Sequence, residues 1–193
     1  MDIPKPSVRQ VQKYQDKWDS LENYVLQESS LKKLFTKTYP KNKSMDDILI
    51  KVCSLNDFYS TNIFSPFTVA KHIFNLDIDR RLEEEDLSLV NDIGLVSVNE
   101  SKTINFYSFA TKYCSHHNPN VYPIYDSYVE KVLMHFKRED AFYEFKRKDL
   151  KNYSQYRKIL LEFRDFYNLE KFNLKDIDKY LWQLGKEYYP KKY

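Results

Sequence analysis

The sequence predicts an all-α fold, a compact bundle of about eight or nine helices in a single domain spanning 1–193. Three features carry that expectation. Apolar residues recur at spacings of three and four over most of the chain. Ser, Asp and Pro stand where helices would start. No Gly/Ser linker, internal repeat or low-complexity segment divides the sequence.

Taken in order, residues 7–27 hold Val11, Tyr14, Trp18, Leu21 and Val25, the stripe of one long amphipathic helix. Leu31, Leu34 and Phe35 extend it or open a short second helix, which Pro40 stops. Ser44 is placed as an N-cap, with Asp46 and Asp47 in the first turn, where carboxylates complement the helix dipole. Ile48, Leu49, Val52, Cys53 and Leu55 form the buried stripe that follows. Ser65-Pro66 starts another helix, FTVAKHIF, because Pro is pre-organised for the first helical position. Glu85 to Asp92 can form a helix closed by Gly94 in a left-handed C-cap.

Residues 95–106, LVSVNESKTINF, read either as a small β-hairpin about NESK or as an irregular link. Ile104 to His117 reads as a helix ended by Asn118-Pro119. Asp126 then caps a helix carrying Tyr128, Val129, Val132, Leu133 and Phe136, and further helices are expected at 140–147, 153–167 and 174–188. The N-terminal helix (7–27) and the C-terminal helices (140–188) would pack on a central unit at 44–136.

Composition narrows the function. Hydrophobic residues make up 42%, with 17 Tyr, 13 Phe and 2 Trp, enough to offset chain entropy by burial. Cys53 and Cys114 cannot make a disulfide framework, the opening residues have no apolar signal segment, and no run approaches the roughly 18 apolar residues of a membrane span. A soluble, cytoplasmic protein with free thiols and no membrane partner is expected. With only 2 Gly, neither a P-loop nor a dinucleotide fingerprint can be written, so no nucleotide cofactor of those kinds is expected.

The net charge of +3 is unevenly spread: residues 77–92 carry −5 and residues 137–158 carry +4. A basic side suits a polyanion, although solvated helical faces have the same composition. In FKRKDLKNYSQYRK, Arg147, Lys148 and Lys151 are candidates for phosphate contact, with Tyr153 and Tyr156 interleaved. His116-His117 beside Cys114 does not make a metal site, since adjacent helical residues point about 100° apart and no second cluster completes four ligands.

The segment FYSFATKYCSHHNPNVYPIYDSYV, residues 106–129, places Lys112 inside one helix and Asp126 at the start of the next, across a connection stiffened by two prolines. A desolvated amine and a carboxylate on neighbouring helices can do covalent chemistry, or can simply form an ion pair. Phe106 and Phe109 suit core packing, and Tyr122 and Tyr125 suit a pocket wall.

In their order, FATKYC and YPIYDSYV resemble the helix-hairpin-helix DNA glycosylase superfamily, which includes endonuclease III and 8-oxoguanine DNA glycosylase. DDILIKVCSLNDFYSTNI, residues 46–63, is similar to an early helix and loop of the same family, and the resemblance covers roughly residues 44–136. It implies a DNA-binding protein that acts on a damaged or modified base after base flipping, as hydrolase or lyase. It implies Lys112 as nucleophile, Asp126 as electrostatic partner, Asn56 near DNA, and Tyr122 and Tyr125 beside the flipped base. The family hairpin is glycine-rich whereas NFYSFATK has none. The same scaffold is therefore also expected as a non-catalytic nucleic-acid-binding or protein-interaction module.

Overall fold

The computed structural model describes residues 3–190. The elements run α1 (Val8–Asp19), α2 (Glu22–Lys33), a π-helical turn (Leu34–Thr38), α3 (Met45–Tyr59), α4 (Pro66–Leu76), α5 (Asp79–Glu83), α6 (Leu89–Gly94), β1 (Leu95–Asn99), β2 (Lys102–Asn105), α7 (Tyr107–His117), α8 (Ser127–Asp140), a 3₁₀ turn (Arg147–Lys151), α9 (Tyr153–Phe166) and α10 (Leu174–Tyr188). The fold is all-α, as expected, with ten α-helices and one antiparallel hairpin among the described residues. No described helix is long and apolar enough to cross a membrane.

The residues gather into two compact units, one of the chain up to Glu22 together with that from Pro123 on, the other of Asn23–Tyr122. The division falls between Tyr122 and Pro123, inside the stretch 44–136 that the sequence suggests as one central unit.

In the first unit α10 packs on both α1 and α8. Tyr14 and Tyr180 meet edge to face at 5.5 Å, and the Gln183 amide donates to the Tyr14 carbonyl at 2.8 Å. Phe142 and Tyr167 join Phe136 and Phe163 in an aromatic core. α8 starts where expected, with the Asp126 carboxylate accepting from Tyr128 N–H at 2.8 Å. The expected helix at 140–147 does not form. Ala141 ends α8 in the left-handed region (φ 49°), and the chain that follows buries Phe142 and Phe145 from an irregular segment.

Three further expectations are corrected. Residues 7–27 do not make one helix, because Ser20 turns its hydroxyl back on the Lys17 carbonyl at 2.7 Å and closes α1. Glu85 to Asp92 does not make one helix either, since Glu85 takes φ 57° and α6 begins only at Leu89. Gly94 is not a left-handed cap. It is the last residue of α6 with negative φ, and a Cβ there would lie 3.0 Å from the Asn105 side-chain oxygen. Close approach of β2 is thus what a larger residue at 94 would disturb. The 95–106 ambiguity resolves as a hairpin, Leu95 pairing with Asn105 and Val96 with Ile104.

The second unit is built around α7. Nine of its eleven residues are buried, so its polar side chains need partners inside the protein. α6, α3 and the π-helical turn all pack against it.

Candidate functional site

One face of α7 carries Ser108, Lys112 and His116, spaced by four and therefore stacked along the helix. Lys112 is 3% exposed. Its Nζ donates to Ser108 Oγ at 2.5 Å and to the Ser108 carbonyl at 3.3 Å, and it lies 5.3 Å from the centre of the Tyr59 ring on α3. The Tyr59 hydroxyl is 3.1 Å from His116 Nε2, and His116 packs against Phe35. A buried ammonium that donates to a hydroxyl and a carbonyl and lies by a ring face has left bulk water, and desolvation is one of the conditions that activate a lysine nucleophile.

The neighbouring face holds a second polar cluster around Asn42. The Asn42 backbone N–H reaches both oxygens of Asp79 at 3.1 and 3.0 Å, and its side-chain amide donates to Asp79 Oδ1 at 2.7 Å. Asn42 Oδ1 accepts from Lys51 Nζ and from the Tyr113 hydroxyl, each at 2.6 Å. Lys51 is fully buried and also donates to the carbonyls of Tyr39 (3.1 Å) and Lys41 (3.0 Å). Burial pulls Lys51 down to about 8 against the opposing pull of Asp79. His117 Nε2 stands 3.3 Å from the Asn42 amide, and burial, with Lys51 nearby, lowers the imidazole to about 3. A neutral ring lets Nε2 accept from Asn42, with the proton on Nδ1. The sequence shows no trace of this cluster as a unit, since it joins a loop, α3, α5 and α7. Its purpose is legible: it ties those elements together through one saturated asparagine.

The other expected site residues have structural duties. Asn56 Oδ1 accepts from Thr61 Oγ1 (2.8 Å) and Ile63 N–H (2.9 Å), while its amide donates to the Ile63 carbonyl (3.1 Å). It shapes the α3–α4 loop. Tyr122 is fully buried, its hydroxyl donating to the Asp86 carbonyl at 3.3 Å, and burial raises its pKa. Tyr122 is therefore a core residue of its unit. Cys114 is also buried, and burial pushes its thiol up, away from thiolate chemistry. The described residues contain no group of three or more His, Cys, Asp or Glu able to hold a metal ion.

In the first unit, Tyr125, Arg147 and Lys151 assemble on Glu130. The nearly buried Glu130 carboxylate accepts from Arg147 Nε at 2.6 Å and Nη2 at 2.5 Å, and from the Tyr125 hydroxyl. Lys151 Nζ sits 3.9 Å from the centre of the Tyr125 ring, and burial lowers its pKa. Lys148, on the same 3₁₀ turn, is exposed. Arg147 is thus a structural partner of Glu130 whose guanidinium still reaches the surface.

Lys112 and Asp126 belong to different units. Charge also divides between the units. The first holds twenty Lys and Arg against sixteen Asp and Glu, the second eleven against twelve, for nets of +4 and −1. The sequence singles out Lys112 but not Ser108 or Tyr59, which lie beside it in the structure. The four-residue spacing of Ser108 and Lys112 was the available signal.

No solved structure matches the chain. An uncharacterized protein of Haemophilus influenzae is 51% identical over 148 residues, covering 76% of this chain and 70% of the relative. Residues 10–121 match the HI_0787_N family, described as an N-terminal domain, a span that includes Lys112 and the whole Asn42 cluster but stops before Asp126. The chain belongs to the HI_0787_N family.

Proposed function

We propose that this protein binds DNA and acts on a damaged or modified base in the manner of base-excision glycosylases, with Lys112 as the amine nucleophile. The observation that carries the reading is the environment of Lys112, a desolvated amine on Ser108 Oγ and over Tyr59. A further feature supports it. The first unit carries the excess positive charge that phosphate contact needs.

A second reading, a non-catalytic nucleic-acid-binding module on the same scaffold, is favoured by Asn56 and Tyr122. Both are consumed by internal hydrogen bonds and are poorly placed to receive a base. In either case DNA affinity should fall steeply between roughly 50 and 200 mM salt. Lys148→Glu should weaken duplex binding and lower the salt slope by about one or two charges while leaving folding intact. Lys148 is the site to reverse, since Arg147→Glu would set two carboxylates against each other at Glu130. Affinity that ignores both salt and Lys148→Glu would remove nucleic acid as the partner.

A further inference from the structure

We infer that Arg147 is a preoriented fork for a phosphate of a nucleic-acid backbone, and that Glu130 is the residue that positions it. This rests on the reading of the protein as DNA-binding and adds to it the group that grips the backbone. The Glu130 carboxylate, 6% exposed, stands on α8, a helix fixed by its packing on α10. Its Oε1 accepts from Arg147 Nε at 2.6 Å and from Nη2 at 2.5 Å, and its Oε2 accepts from the Tyr125 hydroxyl. One edge of the planar guanidinium is thereby held, so less side-chain freedom is left to lose when a ligand binds. The Arg147 side chain is nevertheless 72% exposed. A guanidinium has five N–H groups, and only those on the Nε–Nη2 edge meet Glu130. The Nη1–Nη2 end, whose two parallel N–H bonds match a pair of phosphate oxygens, has no partner among the described residues.

The charge beside the fork selects the partner. Lys146 and Lys148 flank Arg147, both are exposed, and neither ammonium has a partner among the described residues. Asp149 is the only acid between residues 146 and 151. Its carboxylate accepts from Lys146 N–H at 2.7 Å, so it closes the 3₁₀ turn instead of neutralising a neighbouring lysine. Glu144, just before the turn, is paired with Lys137 at 2.9 Å. Lys151, at the far end of the turn, lies 3.9 Å from the centre of the Tyr125 ring. Arg147 and Glu130 cancel in charge, so the lysines make the patch positive. An isolated carboxylate would suit the fork alone. A fork with further cations beside it suits the repeated phosphates of a nucleic acid.

The test uses the full chain with two probes, inorganic phosphate and a fluorescein-labelled DNA duplex. The Arg147 Nε–H resonance, assigned by its loss in Arg147→Lys, is followed by heteronuclear NMR, and duplex affinity by anisotropy. Both probes should move that resonance in the unmutated protein. Arg147→Lys keeps the charge and loses the fork, so duplex affinity should fall about tenfold at fixed salt while the salt slope stays the same. Glu130→Gln, with folding checked by its melting temperature, separates positioning from charge. Removing a negative charge tightens binding to a plain basic patch, whereas freeing the fork weakens it, and weaker binding is expected. If Glu130→Gln does not fold, Arg147→Lys and the resonance decide. Full affinity in Arg147→Lys, tighter binding in folded Glu130→Gln, or a resonance that neither probe moves would overturn the assignment. A resonance moved by phosphate in a protein that binds no duplex would sustain the fork and sink the DNA reading. Salt-dependent duplex binding that leaves the resonance unmoved would do the reverse.

Discussion

Asn42 holds both oxygens of the Asp79 carboxylate through its own backbone N–H, at 3.1 and 3.0 Å, and one of them again through its side chain at 2.7 Å. The same side chain accepts from Lys51, so one neutral residue separates and satisfies two buried charges of opposite sign. Removing the bridge should cost far more than one hydrogen bond. Asn42→Ala leaves the Lys51 ammonium short of an acceptor and Asp79 short of a donor, in a site with no water-facing escape. A loss of about 3 kcal/mol is expected, seen as a lower melting temperature and denaturant midpoint. Asn42→Asp, which adds a second carboxylate beside Asp79, should also destabilise.

His117 gives the same cluster a pH dependence whose sign follows from its lowered pKa. The folded protein keeps the imidazole neutral down to about pH 3, while the unfolded chain takes up a proton near the ordinary value of about 6.5. Between those values the unfolded state binds more protons, so stability falls as pH drops from about 6.5 toward 3. His117→Gln should flatten that part of the stability profile, measured by denaturant unfolding at a series of pH values. Lys51 acts at the other end. Its folded pKa of about 8 lies below the unfolded value of about 10.4, so its contribution rises as pH increases from 8 to 10.4. Lys51→Met should remove that rise.

Gly185 tests the packing of α10 on α8. A Cβ at this position would lie 2.6 Å from Tyr128 Cβ and 2.8 Å from the Tyr128 carbonyl oxygen, and backbone cannot swing aside as a side-chain end can. Ala favours a helix interior by about 1 kcal/mol over Gly, but overpacking of this kind typically costs about 1–3 kcal/mol. Gly185→Ala should therefore destabilise on balance. Thermal unfolding of the two proteins decides the sign, and a stabilised variant would mean that the helices separate at no cost.

Helix identity was legible in the sequence wherever local chemistry sets it. Pro66 stands at the start of α4 and Asp126 caps α8 as its position suggests, and the stripe through Ile48, Val52 and Leu55 is buried. What escaped was decided by distant partners. In α3 the stripe includes Lys51 and omits Cys53, because Asn42 and the Tyr39 and Lys41 carbonyls receive the ammonium. Ser20 ends α1 with a hydroxyl bond that periodicity does not register, and Ala141 adopts a left-handed cap that Ala rarely takes. At the candidate site, Lys112 stood out by type and context. Tyr122 and Asn56 were chosen by position in a resemblance, and their hydrogen bonds assign them to the core and to a loop instead.

Lys112 as a reactive amine is tested most directly by borohydride trapping on a duplex containing an abasic site, comparing the unmutated protein with Lys112→Met, which keeps the length of the buried stem. The abasic aldehyde bypasses the question of which base is recognised. The proposed chemistry predicts a covalent protein–DNA adduct that is lost in Lys112→Met while folding and most duplex affinity remain. An adduct that survives the substitution, or none at all despite measurable binding, would contradict it.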